Sequence, residues 1–77
     1  MIMKLRVEMH DEGDEAIAII YQGGRKQCRT SGDFVGVKNY LNSIAVGIEE
    51  IIYKTKNDER FREIEELASK AGIKLVR

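Results

Sequence analysis

The chain has no proline and a single cysteine, Cys28, in 77 residues. One cysteine excludes an internal disulfide. One histidine, His10, excludes the Cys/His clusters that staple many small folds around a metal. No apolar run approaches the roughly 20 residues that a membrane span needs, so no membrane partner is expected. The amino terminus shows no signal-peptide apolar region, and a cytoplasmic protein is expected. An excess of one charge is also missing. Thirteen Lys and Arg balance thirteen Asp and Glu, which argues against a dedicated non-specific nucleic-acid binder.

What is present is ordinary for a globular protein: 43% hydrophobic and 34% charged residues. With proline absent, this composition argues against disorder. A chain this short buries only about 60% of the surface its unfolded form exposes. Its core is therefore marginal and, lacking staples, calls for idealised packing or self-association. One domain over residues 1–77 is expected. The abundance of Glu, Lys and Arg suits a thermophile. No cofactor is called for.

Residues 2–9, IMKLRVEM, alternate: Met3, Leu5, Val7 and Met9 on one face, Lys4, Arg6 and Glu8 on the other. That is a strand with one wet face. A polar turn follows around Gly13. AIAIIY (16–21) is apolar on both faces and reads as the central strand. Gly23-Gly24 signals a two-residue hairpin, and RKQCRT (25–30) returns as a polar edge strand whose cations discourage pairing with another chain. Ser31 or Asp33 caps a helix with an apolar stripe at Phe34, Val37, Leu41, Ile44 and Ile48. The helix either runs on to about Tyr53 or stops at Gly47. In the second case 48–56 is a strand, and Gly47-Ile mirroring Gly72-Ile favours that reading. Asn57 or Asp58 caps a second helix with its stripe at Phe61, Ile64, Leu67, Ala68 and Ala71, and IKLVR (73–77) is a last strand.

The expected fold is an α+β two-layer sandwich. A mixed four- to five-stranded sheet, its three leading strands antiparallel, carries two helices on one face. The order is β-β-β-α-β-α-β, or β-β-β-α-α-β if the first helix is long. Right-handed crossovers make the last two strands parallel to their predecessors.

The charge is unevenly placed. Residues 1–24 carry two cations against five carboxylates, whereas 25–40 carry Arg25, Lys26, Arg29 and Lys38 against Asp33 alone. A strand, then Ser31-Gly32, then a helix N-terminus has the layout of an anion cradle, because the first helical N–H groups are unpaired. Arg25, Lys26, Arg29, Ser31, Gly32 and Lys38 are thus the candidate residues for an anion or nucleic acid. Alternation puts Arg25 and Arg29 together on an outward face and Cys28 on the inward one, as a small buried hydrophobe. The stretch CRTSG (28–32) resembles the sulfur-transfer loop of rhodaneses and the loop of Cys-based phosphatases. The phosphatase pattern needs an Arg six residues after the Cys, and Phe34 stands there.

A second cluster is Asp11, Glu12, Asp14 and Glu15 around Gly13, an alternative oxygen site for a hard cation. An EF-hand register fails, since its twelfth residue would be Gln22. A solvated turn is the plainer account. Tyr21, Tyr40 and Tyr53 read as core-edge residues, since no basic aromatic cluster is visible along the chain.

Three functions follow, in order. The first is a small non-enzymatic binding or assembly module, with a protein partner or a second copy. The alternative is a nucleic-acid or phosphate-ligand binder using the basic 25–38 segment. The third is a Cys28-dependent small enzyme.

Overall fold

The computed structural model describes residues 4–77. Met3 and the start of the expected first strand lie outside the described residues. The elements are β1 (Leu5–Glu12), β2 (Glu15–Gln22), β3 (Arg25–Asp33), α1 (Phe34–Ser43), a 3₁₀ turn (Ala45–Gly47), β4 (Ile48–Lys54), α2 (Asp58–Ala71) and β5 (Lys74–Val76). They form the α+β sandwich, with one five-stranded sheet in the order β3-β2-β1-β4-β5. β1, β2 and β3 pair antiparallel, while β4 pairs parallel with β1 and β5 parallel with β4.

The centre of the sheet is β1, not the expected β2. The strand expected over 48–56 forms over Ile48–Lys54, and it docks beside β1, moving β2 one place outward. The two tight hairpins are both two-residue turns. Gly23 and Gly24 have φ of 58° and 80°, a pair of positive values that side chains with a Cβ rarely adopt.

One face of the sheet is dry. Leu5, Val7 and Met9 of β1, Ala16, Ala18 and Ile20 of β2, and Ile51 and Tyr53 of β4 form one cluster with Phe34, Val37 and Leu41 of α1 and Ile64, Leu67 and Ala68 of α2. Fully burying a Val, Leu, Ile, Phe or Met side chain stabilises by about 1.5–3 kcal/mol. Ile17 is also buried, but its neighbours are His10 and Ser31 on the opposite face. The alternating partners of the core residues, Arg6, Glu8 and His10 among them, form that second face, which neither of the described helices covers.

The helices depart from expectation at their ends. α1 stops at Ser43, Ile44 is its C-cap, and Gly47 closes the 3₁₀ turn rather than the helix. Ile48 then opens β4. In α2, Asn57 is the N-cap and Gly72 the left-handed C-cap, but Ala71 of the expected stripe is exposed. At α1 the cap is Asp33, whose Oδ1 accepts the Gly36 N–H at 3.1 Å. A Cβ on Gly36 would stand 2.7 Å from that oxygen, so the close cap depends on glycine.

Candidate functional site

β3 is the edge strand, and it is exposed along almost its whole length. It runs straight into α1, so Ser31 and Gly32 are ladder residues opposite Ile17 and Ala16 rather than a loop. The helix N-terminus beyond them is already occupied by the Asp33 carboxylate. Lys38 lies on α1 and is paired with Glu63 of α2 at 2.7 Å. The six candidate residues are therefore not drawn into one cradle. Arg25, Lys26 and Arg29 stay exposed on the edge; Lys38 is turned to the other helix.

A register shift changes how the three edge cations are arranged. Ile20 faces Cys28 but Tyr21 faces Lys26, so β3 carries one extra residue there. The irregularity moves Lys26, not Arg25, onto the face shared with Arg29. Directly opposed residues share a face. Arg6, Tyr21 and Lys26 therefore line up across β1, β2 and β3 on the uncovered face. The Arg6 guanidinium lies over the Tyr21 ring, 5.7 Å from its centre. Glu8, Ile19 and Arg29 form the next row. Arg6 also approaches Glu8 at 3.5 Å, an exposed pair of small energy. This basic-aromatic cluster draws on three strands, which is why no local stretch of sequence displays it. Tyr21 was the available signal, since its parity in β2 points it away from the core.

Cys28 is exposed, contrary to the buried role expected of it. It faces the helix side, but an edge strand extends past the cover that the helices provide. Its Sγ lies 3.5 Å from the Tyr40 hydroxyl. That contact, ahead of its charge and burial, raises the Tyr40 hydroxyl above its usual range.

The acidic turn is rearranged as well. Asp11 ends the core face of β1 and accepts from the Tyr53 hydroxyl at 2.6 Å, from the Thr55 hydroxyl, and from Arg60 Nη1 at 3.2 Å. Arg60 Nη2 donates to the Asp14 carbonyl at 2.8 Å, and its guanidinium lies over the Phe34 ring. Burial pushes the Asp11 carboxyl up, but the bonds from Thr55, Tyr53 and Arg60, with the Arg60 charge, outweigh it and hold it below the usual range. Burial, followed by the bond to Asp11 and its charge, pushes Tyr53 up to about 12. Glu12 and Glu15 face each other across the hairpin. Among the described residues no three His, Cys, Asp or Glu converge to hold a metal, so the alternative cation site at Asp11, Glu12, Asp14 and Glu15 is not assembled. Asp11 instead ties the β1 end to β4 and α2.

The chain matches no protein-family model, and no curated protein matches its sequence.

Proposed function

We propose that this chain is a small binding module, not an enzyme, and that its working surface is the uncovered sheet face at the β3 corner, where it takes single-stranded nucleic acid. The observation that carries this reading is the row Arg6–Tyr21–Lys26, with Arg29 one row on. Bases stack on aromatic rings and on arginine planes, while lysine and arginine balance phosphates. A flat sheet face leaves room for splayed bases, which a narrow groove does not. The balanced net charge fits a weak, local contact rather than a general affinity for polyanions.

The test is fluorescence anisotropy of a short labelled RNA over a range of KCl concentrations. Three phosphate contacts, from Arg6, Lys26 and Arg29, give a log–log salt slope of about −2 for a single strand. Tyr21→Ala, and Lys26→Ala with Arg29→Ala, should each weaken binding. Affinity that is independent of salt, or equal in the variants, overturns the reading.

A second reading, assembly through β3, is favoured by the outer edge of this nine-residue strand, which no strand pairs among the described residues. Strand addition to such an edge is a common mode of association. The cations and the register shift oppose it, since both blunt an edge. Sedimentation at micromolar concentration separates the two: a dimer that survives Arg29→Pro counts against pairing through this strand.

A further inference from the structure

β1 and β4 are parallel neighbours whose chains leave in opposite directions at their carboxyl ends. β1 turns through Gly13-Asp14 into β2; β4 passes through 55–57 into α2, which leads to β5 on the other side. Connections that diverge from adjacent parallel strands leave a crevice between them, the usual place for ligands in open α/β sheets. Here the crevice is a cleft of about 770 Å³. Its lining carries Lys54, Lys56, Arg60 and Arg77 against Asp11 and Asp14, four cations to two carboxylates.

These charges are not equivalent. The Asp11 carboxylate already receives three donors, one of them from Arg60, so this pair forms a closed floor. Lys54 and Lys56 are exposed, and among the described residues neither has a carboxylate within 4.0 Å. Arg77 is held in place by its Nε donating to the Thr55 carbonyl at 3.1 Å and by the Phe61 ring 4.8 Å below. Its bond to Asp58 at 2.5 Å is an exposed pair, readily exchanged for a stronger anion. Asp58 and Glu59 in the first turn of α2 offset that helix terminus, so the attraction rests on the side chains.

We propose that this cleft binds a small organic phosphate, its dianionic head held by Lys54, Lys56 and Arg77. Two mobile point charges and one oriented guanidinium suit a phosphate monoester. Lys54 and Lys56, the two lining cations with no carboxylate within 4.0 Å among the described residues, match its charge near neutral pH. The volume lies within the range of small-molecule sites and leaves room for the organic part above the Asp11 floor. This site is separate from the β3 corner and does not depend on nucleic-acid binding there.

Amide chemical shifts test it, with inorganic phosphate, ribose 5-phosphate and ribose added at constant ionic strength. Saturable shifts at Gly13 and residues 55–57 are expected with both phosphates, tighter for ribose 5-phosphate, and none with ribose. Lys54→Ala with Lys56→Ala should weaken binding about tenfold or more, with thermal melting confirming the fold, while Lys70→Ala leaves it unchanged. Three results overturn the proposal: no saturation by about 10 mM, ribose 5-phosphate no tighter than inorganic phosphate, or undiminished binding by the double variant.

Discussion

At the carboxyl end of β1, Asp11 lies under three donors, with Arg60 one-fifth exposed against it. At the β3 corner, Arg25, Lys26 and Arg29 stand on an exposed edge. Both regions are dense in charge, yet they do opposite things. The first joins β1, β4 and α2, elements up to 49 residues apart in the chain. Among the described residues, the cations of the second make no ion pair with the rest of the fold. The difference lies in burial: partial desolvation makes a satisfied charge cohesive and a bereft one costly, whereas a solvated charge is nearly neutral for stability.

The largest way to break this contrast is Asp11→Ala. It leaves Tyr53, Thr55 and Arg60 short of an acceptor in a half-buried corner. The expected cost is about 3 kcal/mol, a fall in Tm of more than about 10 °C on thermal unfolding. Tyr53→Phe removes one donor and should cost about 1 kcal/mol by urea denaturation.

The same corner sets the response to pH. The Asp11 carboxyl sits below its ordinary 3.8 in the fold, so its contribution is present above that value and is lost as pH falls through the lower, folded one. Tyr53 is raised from 10 to about 12, so its contribution is full below pH 10 and is lost as pH climbs towards 12. Melting curves across pH should show both losses; Tyr53→Phe should lack the alkaline one.

Smaller effects come from the edge. Asp33→Ala loses the α1 cap, for about 1 kcal/mol. Lys38→Ala breaks a part-exposed pair between the helices and should cost at most about 1 kcal/mol. At the β3 corner, Lys26→Ala or Arg29→Ala should leave stability within about 0.5 kcal/mol. If either moved Tm as far as Asp11→Ala, the contrast between the two regions would collapse.

Most element types were legible locally. Alternation in 5–9, the Gly23-Gly24 turn, the Asp33 and Asn57 caps and the stripes of both helices each encode their own geometry. The β4 strand was ambiguous because Ile48, Ile51 and Ile52 continue the helical stripe while Ile-Ile-Tyr-Lys-Thr has strand composition. The burial of Cys28 was misread because alternation reports a face, not how far the covering helices reach. The pairing of Arg25 with Arg29 was misread because one extra residue at 26–28 reverses the parity upstream.

Neither candidate site could be read along the chain. The Arg6–Tyr21–Lys26 row needs two strand registers, and the cleft needs β4 to lie parallel beside β1. Lys54, Lys56 and Arg77 look like ordinary surface charges until that pairing places them around one opening. Caps, turns and periodicity act within a few residues, so short windows of sequence specify them. Registers and strand order arise from burying the dry faces of distant segments together. That energy belongs to the assembled sheet, and it is what gathered Asp11, Tyr53, Thr55 and Arg60 into one corner while leaving the β3 cations in water.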